Sequence, residues 1–569
     1  MRLRPYRHKL ALCAVLALGL HSHGITASSP PRLSAQSKSQ TSSNKAPSLQ
    51  KGHPAEDLLS LPLDLLSNTT ATLLKEEPTY KWRNWAGNQH ANPARIFHPR
   101  SIKDLYSIVQ KAKKDNKQIR CGGAGHSWSS TSVVNENGFL VDISDMGKIY
   151  KPVHVEDNNW TVEIETGVLI LDLDNYLMDH DPPLTLPSNV VLDSIRYGGV
   201  ISLGCHGAAT HTRTISDLVT EVKIIDANGV LHSFSKDKDP IEFSAATVNL
   251  GLLGPIYSYT IRVETMFKLL MTDTNPPLKD YFSDPVVSGP KLKTMVLGND
   301  QTELFYWPFN SPGLSPEGDS IWIKQWQRTD LPVTETALSH GLKSFLEPLE
   351  TSFGYTLYEY MAANPMSTPF VNYLIHSALV HQGQQVLYAP HGIHYQAGID
   401  NLPCLDLEMA FKTDDNFENV VKAWTYVIDL IYEYARRGEF PLNLALEMRF
   451  VKASTLVMSS AYDEDPDAIY CMIEVLSVVN TKGFEEFSAK VAQYWMENFQ
   501  ARPHWAKMWE HVPGIVPYLR SGNGNRYDQF EAVRKKYDPN GMFLTSTFAG
   551  VLGHSTDKEK GQTQGKAKR

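Results

Sequence analysis

The chain has 569 residues, and this length predicts two domains plus flanking segments, because single hydrophobic cores stop growing at roughly 250–300 residues. Its composition, 42% hydrophobic and 20% charged, is ordinary for a globular protein, and its formal net charge is -8. This acidic balance excludes the basic face that nucleic-acid binding requires, so we expect no nucleic-acid partner.

The first 27 residues have the layout of a secretory signal peptide. Basic residues between Arg2 and Lys9 precede an apolar run from Leu10 to Leu20, which is too short to span a bilayer. A mitochondrial presequence is the alternative, because the segment is rich in Arg and Ser and no acidic residue occurs before Glu56. We therefore predict secretion, with a mitochondrial location as the alternative, and no transmembrane segment.

Two triplets, Asn68-Thr69-Thr70 and Asn159-Trp160-Thr161, are N-glycosylation acceptors that fit secretion. Residues 28–60 are rich in Ser, Pro, Gln and Lys, and they predict a flexible linker because they offer too little apolar surface to form a core. The polar, Lys-rich stretch 554–569 predicts a disordered tail for the same reason. The folded body therefore runs from about residue 61 to residue 552.

The five cysteines are scattered singly, and they are Cys13, Cys121, Cys205, Cys404 and Cys471. No CxxC pair occurs, so we expect no structural zinc site and no other metal site. One or two disulfides would be compatible with secretion, but their pairing cannot be deduced from spacing. Buried thiols that pack as small hydrophobic groups are the expected state.

The first half of the body predicts short strands mixed with a few helices, which is an α+β pattern. A helix begins at Ser101, which with Asp104 makes a capping box before apolar residues at helical spacing. Strands are then predicted at Gln118–Cys121, Phe139–Ile143, Thr161–Glu165 and Val219–Ile225. The turn Ala227-Asn228-Gly229 predicts a hairpin after the last of these strands.

The second half has longer helical patterns, and it predicts a second domain that begins near Lys268. Helices are predicted at Asn416–Arg437 and Lys482–Asn498, with a strand at Leu444–Val451 between them. Near the end, the stretch Lys536–Phe543 contains Asp-Pro-Asn-Gly and predicts a turn that fixes a C-terminal segment.

A glycine-rich loop at Cys121–Ser129 follows directly on the first predicted strand and reads CGGAGHSWS. Glycines let the backbone approach an anion and aim successive N–H groups at it. The loop lacks the GK[ST] of a phosphate-binding P-loop, and it does not open a helix as GxGxxG does. Its distinguishing feature is His126, which stands directly after the glycines.

A second loop, Gly198–Gly207, again combines strand-type residues, glycines and a histidine. Two such loops about 80 residues apart suit the two ends of a dinucleotide. A third glycine-bearing stretch, Leu250–Ile256, is apolar, and it predicts either a surface for a planar ring or a tight turn within the core.

A second constellation of charged residues lies in the other half of the body. On the strand Leu446–Phe450, Glu447 and Arg449 share one face and the apolar residues share the other. This pattern indicates either a substrate-binding pair or a structural salt bridge. Lys507, in the stretch RPHWAK, is either a fixed positive charge held by aromatic neighbours or part of an exposed helix start after proline.

The combination GGAGHSWS, GGVISLGCHG, EMR, HWAK and DPNGMF resembles the sugar-1,4-lactone oxidases, with arabinono-lactone, gulono-lactone and alditol oxidases as the nearest members. The resemblance covers about residues 83–549. It implies the vanillyl-alcohol-oxidase fold, with a two-subdomain FAD-binding domain of the PCMH type over 83–268 and a second α+β substrate or cap domain over 269–549. FAD is the implied cofactor.

The resemblance also implies a role for individual residues of the cofactor site. His126 matches the histidine that bonds covalently to the flavin ring methyl group, and Ile256 matches a position that touches the adenine side. The residues that match the pyrophosphate loop are Gly122, Gly123, Ala124, Gly125 and Ser127. Those that match the second flavin-contacting loop are Gly199, Ser202, Gly204, His206 and Gly207. Cys205 follows the paired glycines, so no cysteinyl flavin bond is expected.

For the catalytic site, the resemblance implies that Glu447 and Arg449 orient substrate hydroxyls. Lys507 matches a cation near the flavin N1–C2=O edge, with His504 and Trp505 in support. The implied reaction is hydride transfer from a carbinol of a small sugar-derived substrate to flavin N5, with molecular oxygen reduced to hydrogen peroxide. The residues Asn189-Val190-Val191 are bulkier than is usual in this family beside the flavin, and Glu474 is unusual on a substrate-facing strand.

Two alternatives therefore stay open. Bulk near the flavin can restrict oxygen, so the first alternative is a dehydrogenase of the same fold with a non-oxygen electron acceptor. The second is a flavin-loaded, non-catalytic carbohydrate-binding surface protein. Glu474 additionally indicates a substrate other than the lactones of the family.

Overall fold

The computed structural model describes residues 75–78, 81–334, 356–395 and 402–554. The predicted signal peptide, the linker, the Asn68 triplet, Cys13 and the tail beyond residue 554 lie outside the described residues. The described residues belong to one compact unit that spans Pro62–Arg569. Among them, no helix combines the length and the apolar character needed to cross a membrane.

A four-stranded mixed sheet holds the first glycine loop, with strands in the order β1-β4-β6-β5. Numbered in chain order, its strands are β1 (Lys75–Pro78), β4 (Arg95–His98), β5 (Ile119–Gly122) and β6 (Phe139–Asp142). A separate small hairpin consists of β2 (Trp82–Arg83) and β3 (His90–Ala91). Helix α1 (Ile102–Asp115) covers the four-stranded sheet, and its N-cap Ser101 accepts a hydrogen bond from the Asp104 backbone N–H. The predicted helix and capping residue are confirmed.

A second sheet, with the order β11-β10-β12-β8-β7 and with β9 paired to β12, carries the second glycine loop on its flank. Its strands are β7 (Val153–Glu156), β8 (Asn159–Glu165), β9 (Leu184–Thr185), β10 (Val219–Ile225), β11 (Leu231–Ser235) and β12 (Ile256–Thr265). The helices of this region are α2 (Ile170–Met178), α3 (Tyr197–Ser202) and α4 (Pro240–Thr247). The predicted hairpin is present, with Gly229 at φ +84° between β10 and β11.

The third sheet is antiparallel and has eight strands in the order β16-β13-β15-β14-β18-β19-β17-β20. Its strands are β13 (Lys268–Thr274), β14 (Gln301–Tyr306), β15 (Trp322–Thr329), β16 (Gly383–Tyr388), β17 (Cys404–Lys412), β18 (Leu446–Lys452), β19 (Ile469–Val478) and β20 (Arg502–Pro503). The chain changes sheet between Thr265 and Lys268, where the sequence places the domain boundary. The division into two domains stays a prediction.

Helices cover one face of the large sheet and extend beyond it. They comprise α5 (Pro285–Leu297), a helical segment at 356–363, α6 (Thr368–Leu379), α7 (Ala389–Ile393), α8 (Glu418–Arg436), α9 (Phe484–Phe499), α10 (Ile515–Tyr537) and α11 (Ser546–Val551). Short 3-10 turns occur at Ser130–Ser132, Ile143–Asp145, Ile215–Leu218, Leu278–Asp280, Pro316–Gly318 and Pro365–Ser367. The two long predicted helices are confirmed as α8 and α9.

The apolar side of β18 packs toward these helices. Phe450 stacks on Phe417 at the start of α8, with ring centroids 5.5 Å apart. Inside this layer the buried Trp495 of α9 donates a hydrogen bond to the Ala423 carbonyl of α8 at 3.0 Å. Because side chains alternate along a strand, Glu447 and Arg449 point to the opposite face of the sheet.

The C-terminal segment returns to the first sheet. The Asp538 carboxylate accepts hydrogen bonds from the backbone N–H groups of Met542 at 2.7 Å and Phe543 at 2.9 Å, which forms the predicted turn. The Ile119 backbone N–H then donates to the Met542 carbonyl at 3.0 Å. Arg120 is buried and donates to four backbone carbonyls, those of Thr131, Leu250, Gly251 and Phe543. These bonds fix the start of the glycine loop.

Two local expectations were incomplete. The residues Val200-Ile201 of the second glycine loop suggested a strand, but they lie in the short helix α3, where Val200 and Ile201 fill the core. The stretch Leu250–Ile256 had two interpretations, and the structure has the tight core turn. Gly254 has φ +137°, and a Cβ atom there would stand 2.0 Å from the Ile225 carbonyl oxygen, so only glycine fits.

Candidate active site

The first glycine loop follows β5 and places His126 against the Trp85 side chain. Gly125 has φ +72°, which favours glycine, and its carbonyl accepts a hydrogen bond from the Trp85 backbone N–H at 2.8 Å. The His126 ring stacks on the Trp85 indole, with centroids 4.6 Å apart and an interplanar angle of 23°. Nearby, the Ser127 carbonyl accepts a hydrogen bond from the Asn84 side chain at 3.0 Å.

Two tryptophans connect His126 to Lys507, although these residues are far apart in the sequence. Trp85 meets Trp128 edge to face at 5.8 Å, and the Lys507 ammonium lies 4.7 Å from the centre of the Trp128 ring. The Trp128 backbone N–H donates to the Ala506 carbonyl at 2.7 Å. The buried Trp505 also belongs to this contact, because its carbonyl accepts a hydrogen bond from the Ser129 hydroxyl at 2.6 Å. The GGAGHSWS and HWAK motifs are therefore neighbours.

The second glycine loop begins within α3 and ends at His206 and Gly207. A Cβ atom at Gly207 would stand 2.5 Å from the Asn189 carbonyl oxygen, so the close packing of this loop requires glycine. Gly204 has φ +70°, which also favours glycine. The Ser202 hydroxyl donates to the Gly198 carbonyl within α3, so it is occupied by its own helix. The Ser202 carbonyl accepts from the Leu250 backbone N–H at 3.0 Å.

Ile256, at the start of β12, is connected to the second loop through Thr166. The Thr166 hydroxyl donates to the Ile256 carbonyl at 3.1 Å, and the Gly198 backbone N–H donates to the Thr166 carbonyl at 2.9 Å. Ile256 itself is buried in the core of the second sheet. The structure thus brings Ile256 close to α3, but its predicted contact with the adenine side stays a prediction.

The residues between the two loops fit FAD. Where a Cβ would project from Gly199 there is open space, and a Cβ at Gly123 would lie 3.3 Å from the Arg196 side chain. Three buried donor atoms in the segment that leads into α3 have no hydrogen-bond partner within the described residues, and these are Ser188 Oγ, Ser194 Oγ and Arg196 Nε. A diphosphate with a hydroxyl-rich chain supplies the acceptors that such donors lack.

The face of the large sheet opposite the helices carries a row of buried carboxylates. Glu474 of β19 stands directly opposite Glu447 of β18 on one side and Glu408 of β17 on the other. In the next row, Arg449 of β18 stands opposite Glu303 of β14. Directly opposed side chains lie close together in an antiparallel sheet, so the strand register alone assembles the cluster.

Two cations hold these carboxylates together. Arg449 contacts Glu447 through Nη2, Glu474 through Nη1 at 3.1 Å and Glu303 through Nε at 3.3 Å. Lys507 contacts Asp406, and its Nζ lies 2.8 Å from Glu474 Oε2 and 3.7 Å from Glu408 Oε2. Glu474 is therefore shared by both cations. The resulting unit comprises Glu303, Asp406, Glu408, Glu447, Arg449, Glu474 and Lys507, and we call it the ionic cluster.

The members of the ionic cluster have strongly shifted pKa values. Burial raises the pKa of Asp406 and of Glu447 well above the usual range of a carboxyl group, although a cation touches each of them. Burial also opposes the charge of Glu474, but Lys507 and Arg449 outweigh this effect and lower its pKa. Burial would lower the pKa of Lys507, but the surrounding carboxyl groups raise it well above its ordinary value. Glu474 is thus the ionised carboxylate between two permanent cations.

His206 and His504 border the ionic cluster at Glu408. His206 Nε2 lies 2.5 Å from Glu408 Oε1, and its Nδ1 lies 2.9 Å from the Gly207 carbonyl oxygen. The His504 ring meets the His206 ring at 5.6 Å, and His504 Nδ1 accepts a hydrogen bond from the Ala506 backbone N–H at 3.2 Å. Burial lowers the pKa of His504 to about 4, so this ring is neutral at neutral pH.

His206, Glu408 and His504 are also ligand types that bind metal ions, and their ligand atoms lie within 4.8 Å of one another. However, His504 uses Nδ1 as an acceptor, which leaves the proton of the neutral ring on Nε2. The Lys507 ammonium at 3.7 Å from Glu408 would in addition repel a cation. These two features favour a hydrogen-bonded role of the triad over metal binding.

The sequence pattern predicted Glu447, Arg449, His504 and Lys507, and the structure brings all four together. The interpretation of Lys507 as part of an exposed helix start was wrong, since Lys507 lies outside any described helix and its largely enclosed side chain contacts three carboxyl groups. Sequence reasoning missed Glu303, Asp406 and Glu408. The spacing of Asp406 and Glu408 on an otherwise apolar strand is the same alternation that drew attention to Glu447 and Arg449, so the signal was present in the stretch 404–411.

The four described cysteines, Cys121, Cys205, Cys404 and Cys471, are free thiols. Cys205 lies beside the cluster, and burial raises the pKa of its thiol to about 12, which makes it unreactive. The expectation of buried thiols is therefore confirmed for Cys404 and Cys471, while Cys121 and Cys205 are partly exposed.

Comparisons with known proteins agree with this geometry. A family model described as an FAD binding domain matches residues 93–235, and one described as D-arabinono-1,4-lactone oxidase matches residues 315–550. An L-gulono-1,4-lactone dehydrogenase of Mycobacterium tuberculosis is 25% identical over 477 residues, which are 83% of this chain and 99% of that protein. An L-gulonolactone oxidase of Bos taurus is 22% identical over 492 residues, with 83% and 98% covered.

A D-arabinono-1,4-lactone oxidase of Saccharomyces cerevisiae is 30% identical over 194 residues, or 34% of this chain and 36% of that protein. Among solved structures, a cholesterol oxidase from B. sterolicum superposes with a TM-score of 0.69 at 17% identity, covering 85% of this chain and 98% of that chain. A solvent-stable cholesterol oxidase gives 0.68 at 16% identity, with 85% and 99% covered. The predicted α+β FAD-binding fold and the predicted FAD cofactor are confirmed.

Glu474 and Asp406 should contribute to stability with opposite pH dependence. The pKa of Glu474 is lower in the folded chain, so its stabilising contribution is complete above the unfolded pKa of about 4.3 and is lost as the pH falls through the folded value. The pKa of Asp406 is raised, so the folded chain holds a proton that the unfolded chain releases above about pH 3.9, and this costs stability as the pH rises.

We expect Glu474→Gln to lower the free energy of unfolding at pH 7 by about 3 kcal/mol, because it leaves two buried cations short of a partner. Asp406→Asn should raise the thermal unfolding midpoint at pH 7, since the buried group no longer has to take up a proton. Thermal unfolding of the holoprotein between pH 4 and pH 8 measures both effects, and the gain from Asp406→Asn should shrink toward pH 4. Shifts of the same sign for the two variants at pH 7 would contradict the assigned charge states.

Proposed function

We propose that this chain, which resembles the FAD-linked sugar-lactone oxidoreductases over most of its length, oxidises a carbinol of an aldono-1,4-lactone or related polyol with molecular oxygen as the electron acceptor. The observation that carries the proposal is the position of Lys507. Its ammonium is held by the ionic cluster on one side and lies over Trp128 on the other, and Trp128 in turn contacts Trp85, on which His126 stacks. A buried, permanent cation there is suited to stabilising negative charge that develops during a reaction.

When bound, FAD supplies the hydride acceptor at its N5 atom and transfers the electrons to molecular oxygen, which leaves as hydrogen peroxide. The chain itself binds and orients the substrate. The Arg449 guanidinium donates hydrogen bonds, and the Glu447 carboxyl group accepts them. Burial raises the pKa of Glu447, which favours the protonated form that can also donate. Vicinal hydroxyl groups of a sugar match such a set, and the hydroxyl proton leaves to a carboxylate of the ionic cluster or to water.

The proposal is tested by reaction of the holoenzyme with lactones and alditols in air. We expect stoichiometric hydrogen peroxide and rapid stopped-flow reoxidation of the enzyme after anaerobic reduction. Slow reoxidation by air, with fast reoxidation by a quinone or a cytochrome, would reject the oxidase and favour the dehydrogenase. That alternative is supported by the name of the M. tuberculosis relative and by the bulk of Asn189 and Val190, which are buried beside the second glycine loop.

The non-catalytic carbohydrate-binding alternative is less consistent with the site. A binding protein needs hydrogen-bonding groups for hydroxyls, but it has no need of a buried lysine held by three carboxyl groups. A panel of lactones, alditols and oligosaccharides separates the two, since a pure binder would bind a member of the panel without any loss of the absorbance of the oxidised flavin.

The covalent attachment of the flavin through His126 is part of the proposal. His126 stands directly after the glycine loop and stacks on Trp85, so the ring is held at the boundary between the cofactor loop and the ionic cluster. We expect wild-type protein precipitated with acid to keep its yellow colour in the pellet. His126→Ala should release FAD into the supernatant, while His90→Ala, at an exposed position, should not. A colourless wild-type pellet would reject the covalent bond.

We also propose that the protein is secreted, with a mitochondrial location as the alternative. Asn159 of the second glycosylation triplet is exposed at the start of β8, where a glycan would project into solvent. We expect glycosidase treatment to shift the gel mobility of the purified native protein. Asn159→Gln should reduce this shift only in part, because the Asn68 triplet offers a second acceptor. An unshifted protein in a mitochondrial fraction would support the alternative.

Replacing the central cation should slow the chemistry more than it weakens binding. Lys507→Met removes the positive charge but keeps most of the side-chain volume, and single electrostatic stabilisers are worth about 10²–10³-fold in rate. We expect anaerobic flavin reduction by the best substrate to slow at least about tenfold. Lys482→Met, at an exposed position at the start of α9, is the matched control. Unchanged reduction kinetics for Lys507→Met would remove this residue from the site.

A further inference from the structure

Every cation of the ionic cluster is already engaged by carboxyl groups. Arg449 is contacted by Glu303, Glu447 and Glu474, and each of its three nitrogens faces one of them. Lys507 is contacted by Asp406, Glu408 and Glu474. Five acidic side chains therefore surround two basic ones.

Glu474 is the member that serves both cations. One carboxylate oxygen, Oε1, lies 3.1 Å from Arg449 Nη1, and the other, Oε2, lies 2.8 Å from Lys507 Nζ. The two cations are more accessible than the carboxylate that they share. The side chains of Arg449 and Lys507 are 15% and 14% exposed, and that of Glu474 is 7% exposed. The strand register places Arg449 and Glu474 on the same face of the sheet, and Glu474 lies between the two cations.

We propose that Glu474 is a charge-selectivity residue, which makes the site accept uncharged polyhydroxylated compounds, lactones and alditols, and reject the open-chain sugar acids derived from them. This inference rests on the proposed function and specifies the substrate class for the same site. It also gives the unusual carboxylate on β19 a role that differs from hydroxyl orientation by Glu447 and Arg449.

The physical basis is competition for the cations. A substrate carboxylate binds well only where an arginine or a lysine is free to pair with it. Here it would have to approach to hydrogen-bond distance of a carboxylate that is fixed by two ion pairs, and like charges at that distance repel strongly in a water-poor site. Specificity then arises from a built-in repulsive group as well as from attractive contacts.

Neutral hydroxyl groups do not meet this obstacle. A hydroxyl can donate to a carboxylate and accept from an arginine or a lysine at once, so the alternating signs of the cluster suit it. A ring-closed lactone and its hydrolysed acid differ by little except a carboxylate, and the two coexist in water whenever the ring opens. A site with Glu474 between its cations therefore selects the closed form.

The test compares matched neutral and anionic five-carbon compounds on the holoenzyme. D-arabinitol and sodium D-arabinonate are titrated as competitors of flavin reduction by the best neutral substrate of the panel, at constant ionic strength and pH 7. We expect the inhibition constant of the acid to exceed that of the alditol by at least tenfold in the wild type. Equal constants within threefold, with neutral compounds reducing the flavin, would overturn this inference and leave the proposed function standing.

Variants separate charge from packing. Glu474→Gln should lower the ratio of the two inhibition constants at least tenfold, because it releases Arg449 and Lys507 toward a substrate carboxylate. Glu474→Asp, which keeps the charge, should retain most of the selectivity, and the exposed Glu464→Gln, with the same loss of charge, should leave the ratio unchanged. An unchanged ratio in Glu474→Gln would overturn the assignment.

Two further outcomes are also decisive. If Glu474→Gln does not retain FAD, the ratios of the inhibition constants in the wild type and in Glu474→Asp still test the inference. A wild type that binds the acid as tightly as the alditol overturns it without any variant. A panel in which no neutral compound reduces the flavin overturns the proposed function, and this inference with it.

Discussion

The site depends on the ion pairs that Glu474 makes with Arg449 and Lys507. Three glutamates, Glu408, Glu474 and Glu447, stand side by side across three neighbouring strands, and burying such a row without cations would be prohibitively unfavourable. The two cations offset the cost of burying the row of glutamates, and the glutamates in turn fix the positions of the cations. A shift of one residue in the register of β19 would turn Glu474 to the helix-covered face and dissolve the arrangement.

The same cluster joins the two glycine loops to the large sheet. Lys507 lies over Trp128, whose backbone pairs with Ala506, and Trp85 continues the contact to His126. On the other side Glu408 holds His206 at the end of the second glycine loop. Both glycine loops thus end against one group of charged residues. A substrate that binds at Arg449 is consequently held next to the surface where the flavin ring is attached, in our proposal, to His126.

Much of this could be predicted from the sequence, because many of the signals are local. Helix periodicity predicted α1, α8 and α9, and Ser101 predicted the start of α1. The Asn-Gly turn predicted the hairpin after β10. The alternation in EMR predicted that Glu447 and Arg449 share a face of their strand. The motifs GGAGHSWS and HWAK identified His126 and Lys507 as candidates. The resemblance of the chain to the sugar-lactone oxidases is confirmed, while the roles of the individual residues stay predictions.

The remaining members of the ionic cluster could not be predicted, because they depend on pairing between strands that are distant in the sequence. Glu303 and Glu408 become part of the site only because β14 pairs with β18 and β17 pairs with β19, and no local pattern fixes those partners. The short helix α3 was misread because Val and Ile favour strands, and tertiary packing overrode that preference. The burial of Lys507 was open for the same reason, since the carboxylates that enclose it come from two different strands.

The central claim is that substrate hydroxyls bind to the open face of the ionic cluster beside the flavin. A crystal structure of the oxidised holoenzyme with a bound alditol tests it most directly. We predict hydroxyl groups within hydrogen-bond distance of Arg449 and Glu447, one carbinol carbon facing the flavin ring, and Glu474 still bridging Arg449 and Lys507. An alditol bound elsewhere, or a cluster in which Glu474 has left both cations to bind the ligand, would contradict the account.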